Sequence, residues 1–231
     1  MVAVILAGGK GTRLRPYTVA IPKPLVPLGD KAVIEILMDR LIHSGVEEVN
    51  ICLGHHAELI MAYLGDGQKY GIQIRYFREE IPLGTVAPIR NVSNLPENFL
   101  VMNGDLLTDL DFRKLFDYHF SKDSMLTVAT YRRHVHIDFG VIESDPESQA
   151  ITGFREKPDL DFDVSMGVYA MNRKVLEFIP DGKPFGFDEL VLSLLQKKVG
   201  IHTFLYEGHW LDIGRPEDYE KANQDVSSIE G

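Results

Sequence analysis

The stretch that decides the fold is the N-terminal sequence Met1-Val-Ala-Val-Ile-Leu-Ala-Gly-Gly-Lys-Gly-Thr-Arg-Leu-Arg15. Its apolar run from Val2 to Leu6 has the length and composition of a buried parallel strand. The run ends in a glycine-rich loop, where the backbone can approach a ligand closely or adopt a positive φ. Lys10 and Arg13 add positive charge. A strand that opens into such a loop favours the binding of phosphate oxygens, which accept hydrogen bonds from backbone N–H groups.

Two familiar phosphate-binding loops are excluded by the spacing of these residues. The dinucleotide fingerprint needs a third glycine three residues after Gly11, and Leu14 occupies that position. The NTPase loop needs Ser or Thr directly after Gly-Lys, whereas Lys10 is followed by Gly11. The loop is therefore a phosphate loop of another kind, and the rest of the chain must indicate which.

Composition limits the classes of partner. The chain has 231 residues, of which 45% are apolar and 25% are charged, as is ordinary for a globular protein. No apolar stretch approaches the length of a membrane span, and a single cysteine, Cys52, cannot form an internal disulfide. We therefore expect a cytoplasmic protein. The net charge of −10 disfavours a nucleic-acid or anionic-membrane surface, so an anionic substrate would need a local positive site such as the first loop.

Apolar runs alternate with helix-like spacing over the first 130 residues, which predicts a largely parallel sheet with helices on both faces. The predicted strands are Val2–Leu6, Glu48–Leu53, Ile72–Phe77, Phe99–Met102 and Met125–Thr130. The predicted helices are Val33–Ile42, His56–Leu64, Val86–Val92 and Phe112–Phe120. After Tyr131 come short strand candidates, then helical spacing at Lys174–Ile179 and Glu189–Lys197, a strand at Ile201–Tyr206 and a helix from Pro216. The second half therefore looks like a substrate-binding lobe packed on the same sheet.

Two aspartates and one lysine are candidates for chemistry. Asp105 follows a buried apolar run, so it lies at the carboxyl end of the sheet, where open α/β folds bind ligands. Asp212 is embedded in Trp210-Leu-Asp-Ile-Gly214 and needs a cation or several donors there. Each could hold Mg²⁺, and a shared metal is the favoured interpretation, although Asp105 could simply cap a turn. Lys23 lies between Pro22 and Pro24, which restrict where it points; a solvated lysine on a rigid loop is the alternative.

Taken together, these segments resemble the sugar-1-phosphate nucleotidylyltransferase family. The segments that carry the resemblance are in the family's order and span nearly the whole chain. They are Leu6-Ala-Gly-Gly-Lys-Gly-Thr-Arg-Leu14, Pro22-Lys-Pro-Leu25, Pro82-Leu-Gly-Thr85, Asn103-Gly-Asp105, Glu156-Lys-Pro158 and Trp210-Leu-Asp-Ile-Gly214.

The resemblance implies a Rossmann-like three-layer α/β/α fold with a central mixed, mostly parallel sheet. It implies a single catalytic domain over residues 1–231, with an NTP-binding half (1–130), a sugar-phosphate-binding half (131–231) and no C-terminal extra domain. The expected reaction is Mg²⁺-dependent transfer of a nucleotidyl group from an NTP to a sugar 1-phosphate. Pyrophosphate leaves and no covalent intermediate is needed, so catalysis consists of positioning and charge neutralisation. The sequence leaves open whether the chain forms a homo-oligomer.

The resemblance also implies roles for particular residues. Arg13, Lys23 and Asp105 would be catalytic, and Asp105 and Asp212 would bind Mg²⁺. The nucleotide-binding residues would be Leu6, Ala7, Gly8, Gly9, Gly11, Thr12, Arg13, Glu79, Pro82, Gly84, Thr85 and Gly104. The residues that bind the sugar phosphate would be Asp105, Gly140, Glu156, Lys157, Ser165 and Gly167.

Two departures from the family's pattern bear on specificity. Ser165-Met-Gly167 stands where the family commonly shows Asn-Ala-Gly, and a serine offers fewer hydrogen bonds to a sugar than an asparagine. Glu79 stands where thymidylyl members carry a glutamine, and a carboxylate only accepts, which suits the N–H edge of guanine. GTP is therefore favoured, with UTP, dTTP and CTP open. A non-sugar phosphate acceptor and a non-catalytic regulatory member that binds NDP-sugar are the alternatives.

Overall fold

The computed structural model describes residues 1–229, with side chains as far as Gln224. The strands are β1 Val2–Ala7, β2 Pro27–Leu28, β3 Lys31–Ala32, β4 Glu48–Leu53, β5 Gln73–Arg78, β6 Asn98–Asn103, β7 Leu106–Thr108, β8 Leu126–His136, β9 Val141–Ser144, β10 Ile151–Arg155, β11 Asp159–Asn172, β12 Ile201–Tyr206 and β13 Trp210–Asp212. The α-helices are α1 Val33–His43, α2 Ala57–Leu64, α3 Phe112–Ser121, α4 Phe187–Gln196 and α5 Pro216–Ile229. Short 3₁₀ helices lie at Thr12–Leu14, Lys23–Leu25, Gln68–Tyr70, Ala87–Asn91 and Arg173–Phe178.

The central sheet has seven strands in the order β12-β8-β11-β6-β1-β4-β5. β1 pairs in parallel with both β4 and β6, and β5 and β12 also join parallel neighbours. Only β11, among the strands of this sheet, is antiparallel to its neighbours β6 and β8. The predicted mixed, mostly parallel sheet is therefore confirmed, and strands from the second half of the chain extend the sheet begun by the first half.

Alternate residues of β1 face two separate apolar cores, which produces the three layers. Ala3, Ile5 and Ala7 pack with buried residues of α1, α2 and α3 on one face. Val4 packs with buried residues of α4 and the two longer 3₁₀ helices on the other. A strand buried on both faces needs an uninterrupted apolar run, which is why Val2–Leu6 is readable from the sequence.

Two predicted α-helices are instead 3₁₀ helices. Val86–Val92 forms 3₁₀ turns at Ala87–Asn91, and Lys174–Ile179 forms them at Arg173–Phe178. The prediction of α-helix was wrong there because segments of five or six residues complete too few hydrogen bonds to offset helix nucleation. Both still carry apolar residues into the core.

The second half also extends beyond the sheet. β8 and β11 continue as a two-stranded ribbon, in which His136 pairs with Asp159 at the far end. β9 and β10 form a separate hairpin beside it. Among the described residues, every helix is too short or too polar to cross a membrane.

A buried histidine joins α3 to the sheet. The Nδ1 atom of His119 lies 2.8 Å from the Thr127 hydroxyl, and its Nε2 atom lies 3.2 Å from Oδ1 of Asn98. Because Oδ1 only accepts, Nε2 carries the proton and Nδ1 accepts from Thr127. Burial is the main cause that lowers the pKa of His119 from 6.5 to about 4, and the nearby His202 adds to it. His119 is therefore a neutral structural histidine at physiological pH.

This burial predicts that the fold loses stability in mild acid. In the unfolded chain His119 takes up a proton near its ordinary pKa of about 6.5, whereas in the folded chain it does so only near pH 4. The contribution of neutral His119 to the free energy of unfolding is therefore fully present above about pH 6.5 and is lost as the pH falls towards 4. A shift of this size corresponds to about 3 kcal/mol. Urea unfolding from pH 7.5 to 4 should show a steeper decline in the wild type than in His119→Gln. The exposed His209→Gln is the control and should follow the wild type; equal slopes in all three proteins would contradict the account.

Candidate active site

The glycine-rich loop is held in a tight turn that leaves its cations exposed. Gly11 has a φ of +60°, and its carbonyl accepts a hydrogen bond of 2.7 Å from the Thr18 hydroxyl. A Cβ at Gly11 would lie 3.1 Å from the Thr18 side chain and 3.3 Å from Cβ of Lys23. The positive φ and the close approach both require glycine. Thr12 and Arg13 follow in an exposed 3₁₀ turn, which Leu14 anchors in the core.

The structure brings Lys23 between the two predicted metal-binding aspartates. The Nζ atom of Lys23 pairs with Oδ2 of Asp105 and lies 3.7 Å from Oδ1 of Asp212. The side chain of Lys23 is only 9% exposed, so this charge depends on its partners. Pairing of β7 with β13 sets Asp212 opposite Leu106, and the Ile213 N–H donates to the Asp105 carbonyl at 3.3 Å. These contacts join three motifs that are far apart in the sequence.

The charge balance of this cluster leaves room for another cation. Burial raises the pKa of Asp212, and the neighbouring Asp105 raises it further, while Lys23 and Arg13 lower it. Oδ1 of Asp105 is a buried oxygen without a hydrogen-bond partner in the part of the chain that the structure describes. An unpaired buried carboxylate oxygen beside a second carboxylate fits the hard-oxygen chemistry of Mg²⁺. Among the side chains that the structure describes, as far as Gln224, no three His, Cys, Asp or Glu side chains converge as a metal-binding group.

Glu79 closes the other side of the glycine loop. Its backbone N–H donates to the Leu53 carbonyl at 2.8 Å, and its Oε2 accepts from the Leu83 N–H at 2.8 Å. A Cβ at Gly8 would lie 2.6 Å from Oε1 of Glu79, so a larger residue would displace the carboxylate. Burial raises the pKa of Glu79. The carboxylate therefore faces the start of the loop with one oxygen held by backbone.

The loop Pro82–Thr85 is fastened to the start of α4. Gly84 has a φ of +87°, and a Cβ there would lie 2.8 Å from the Phe185 carbonyl. The Phe185 N–H donates to the Leu83 carbonyl at 2.9 Å, and the Phe187 N–H donates to the Thr85 hydroxyl at 3.0 Å. Pro82 itself is exposed. Phe185 and Phe187 were not predicted as site residues, because nothing in their local sequence indicates this long-range contact.

Gly167 lies against Asn103, which is two residues before Asp105. Gly167 has a φ of +73°, and a Cβ there would lie 2.6 Å from Nδ2 of Asn103. Gly104 donates to the Leu6 carbonyl at 3.0 Å, which ties this segment to β1. The carbonyl of Met166 accepts a 3.0 Å hydrogen bond from the Trp210 indole, two residues before Asp212. The predicted acceptor segment therefore adjoins the predicted metal-binding residues. Leu6 and Ala7 are the last residues of β1 and lead directly into the glycine-rich loop.

Gly140, Glu156 and Lys157 form a third group, next to the β9–β10 hairpin. A Cβ at Gly140 would lie 2.7 Å from the Phe154 ring and 3.3 Å from Oε2 of Glu156. Lys157 pairs with Asp138 at 2.8 Å, in an exposed site. Asp138 was not predicted from the sequence, since its role depends on the fold of the loop.

Comparison with known proteins identifies the family. Residues 2–229 match the family model described as Nucleotidyl transferase. The chain belongs to this family. It is 33% identical to mannose-1-phosphate guanylyltransferase of Mycobacterium tuberculosis over 97% of this chain and 64% of that protein. It is 32% identical to UTP–glucose-1-phosphate uridylyltransferase of a Synechocystis species over 100% of this chain and 64% of that protein. The resemblance to sugar-1-phosphate nucleotidylyltransferases is therefore confirmed.

A solved structure agrees with the fold. The crystal structure of HddC from Yersinia pseudotuberculosis complexed with GMP-PN has a TM-score of 0.75 and 29% identity. The match covers 97% of this chain and 99% of that chain. The Rossmann-like three-layer fold is thus confirmed. The chain spans 64% of the length of the two relatives named above.

Proposed function

We propose that the chain transfers a nucleotidyl group from an NTP to a sugar 1-phosphate and releases pyrophosphate. The observation that carries this proposal is the cluster of Lys23, Asp105 and Asp212 beside the glycine-rich loop. Both named relatives are sugar-1-phosphate nucleotidylyltransferases, which supports the same reaction. In this proposal residues 1–130 bind the NTP and residues 131–231 bind the acceptor, within a single catalytic domain. Its cytoplasmic setting is proposed from the single buried cysteine, Cys52.

The chemistry needs no covalent intermediate. An oxygen of the acceptor phosphate attacks the α-phosphorus of the NTP in line, the bond to the β-phosphate oxygen breaks, and pyrophosphate leaves. The loop from Gly8 to Gly11 would cradle the triphosphate through its backbone N–H groups, while Lys23 neutralises charge at the reacting phosphate. Arg13, exposed at the end of the loop, would stabilise the charge on the leaving pyrophosphate. Lys157 would exchange Asp138 for the acceptor phosphate.

Mg²⁺ fits this site as the cofactor. Asp105 and Asp212 would hold it, because the unpaired Oδ1 of Asp105 faces no donor in the described chain. When bound, it neutralises phosphate charge and favours one or two carboxylates plus substrate oxygens as ligands. Lys23, which pairs with Asp105, would then be placed to neutralise a substrate phosphate.

GTP is the proposed donor. The free oxygen of Glu79, beside Gly8, can accept from the N1–H and N2–H₂ groups of guanine, whereas uracil and thymine offer a mixed edge. The mannose-1-phosphate guanylyltransferase relative and the HddC complex with GMP-PN support a guanine nucleotide. The uridylyltransferase relative favours UTP as the second candidate. Mannose 1-phosphate is the first acceptor to test, since the guanylyltransferase relative is named for it.

A matrix of nucleotides and acceptors tests this proposal. Purified protein with Mg²⁺ is given GTP, UTP, dTTP, CTP or ATP with each of several sugar 1-phosphates and with choline phosphate. Pyrophosphate release should be highest for GTP with a sugar 1-phosphate. Turnover only with choline phosphate would favour a non-sugar acceptor, motivated by Ser165. Binding of NDP-sugar without turnover in any pair would indicate a regulatory, non-catalytic protein.

Two arginines of the first loop allow a matched comparison. Arg13→Ala should lower kcat roughly 10²–10³-fold, the loss expected when one pre-organised group that stabilises developing charge is removed. Arg15→Ala removes an equal charge from an exposed position two residues further on and should leave kcat within about twofold of wild type. If Arg13→Ala instead raises KM for the NTP with kcat unchanged, Arg13 binds ground state and transition state equally, and the role proposed for it is wrong.

A further inference from the structure

A bulge in β11 brings two hydroxyl groups together near the proposed acceptor site. Ser165 pairs with Thr130 and Tyr169 pairs with Val128, so β11 contains more residues than β8 between these pairs. In a regular strand, residues four apart would be separated by about 13 Å. Here the Ser165 hydroxyl lies 3.2 Å from the Tyr169 hydroxyl. The bulge therefore creates a contact that an unbroken strand would forbid.

The hydrogen bonds around Ser165 determine whether its hydroxyl proton is available to a ligand. The Gly167 N–H, which can only donate, points to the Ser165 oxygen at 3.3 Å. Burial raises the pKa of Tyr169, so its phenol stays protonated and can donate as well. A serine oxygen that accepts twice keeps its own proton free. Ser165 is exposed, whereas Tyr169 is only 6% exposed, so that proton is available to a ligand.

Tyr169 also packs against Phe187, which is bonded to the loop that borders the proposed nucleotide site. Its ring stacks on Phe187 with centroids 3.9 Å apart and planes 26° apart. The Phe187 N–H donates to the hydroxyl of Thr85, in the loop next to Glu79. One continuous set of contacts therefore runs from the Pro82–Thr85 loop through Phe187 and Tyr169 to Ser165.

We propose that Tyr169 is a positioning residue that directs the Ser165 hydroxyl as a hydrogen-bond donor to a hydroxyl oxygen of the acceptor. This rests on the proposed function, and it names the group that replaces an asparagine amide in orienting the sugar. Phe187 and Thr85 hold the tyrosine in place, so the acceptor contact is built on the same loop that borders the nucleotide. Ser165 alone would rotate among several partners, whereas a serine that accepts from both the Gly167 N–H and the Tyr169 phenol presents its own proton in one direction.

Steady-state kinetics of three variants test the inference. Tyr169→Phe keeps the stacked ring and removes one hydroxyl, and Ser165→Ala removes the donor itself. Each should raise KM for the sugar 1-phosphate about 5–10-fold, the scale of one hydrogen bond, while KM for the NTP stays within about twofold. The double variant should lose no more than Ser165→Ala, because both changes remove one interaction. Tyr76→Phe, which removes the donor to the Gly65 carbonyl, is the control and should match the wild type.

The outcomes separate this inference from the proposed function. Wild-type protein without turnover on any sugar 1-phosphate overturns the proposed function, and the inference with it. Normal wild-type turnover with an unchanged acceptor KM in Tyr169→Phe overturns the inference alone, even if the melting temperature falls. Deoxy analogues of the acceptor supply an independent readout. The analogue that lacks the contacted hydroxyl should raise KM in the wild type and leave Tyr169→Phe unaffected; equal losses in both proteins for every analogue would contradict the contact.

Discussion

The ion cluster of Lys23 with Asp105 and Asp212 is the interaction on which the site depends. Breaking a buried ion pair by removing one partner costs about 3–5 kcal/mol, because the remaining charge is left uncompensated. Two features of the fold bring these charges together: the proline-flanked turn at Lys23 and the pairing of β7 with β13. The cluster itself has one positive and two negative groups, so in a protein whose net charge is −10 the proposed anionic substrate also depends on Lys10 and Arg13 of the first loop and on an added cation.

Much of the fold could be predicted because its signals are local. Glu48–Leu53 is a strand with the predicted bounds, and Val2–Leu6 differs by one residue, since each is a run of apolar residues buried on both faces. The positions of Asp105 and Asp212 in the fold could also be predicted, because each follows an apolar run and so lies where a strand ends. The α-helical prediction failed at Ala87–Asn91 and Arg173–Phe178, where tertiary packing retains segments too short for a stable α-helix.

The parts that could not be predicted depend on register and on distant contacts. The approach of Ser165 to Tyr169 requires a bulge, and the periodicity of a single strand does not reveal where its partner strand is shorter. Lys157 forms an ion pair with Asp138 across a loop. The Thr85 hydroxyl accepts a hydrogen bond from the N–H of Phe187, which is more than a hundred residues away in sequence. Glycines at Gly8, Gly84 and Gly167 mark such places, because each lies where a Cβ would meet another chain segment. The sequence shows these glycines, but the segment that each of them contacts is visible only in the structure.

In the proposed mechanism, Asp105 and Asp212 share a divalent cation with the bound nucleotide. Electron paramagnetic resonance of Mn²⁺, in place of Mg²⁺, measures free metal directly in the presence of a non-hydrolysable GTP analogue. The account predicts one tight site in the wild type and at least a tenfold weaker one in Asp105→Asn and in Asp212→Asn, with Asp181→Asn unchanged as an exposed control. Equal Mn²⁺ affinity in all four proteins would show that the nucleotide alone holds the metal and would contradict the account.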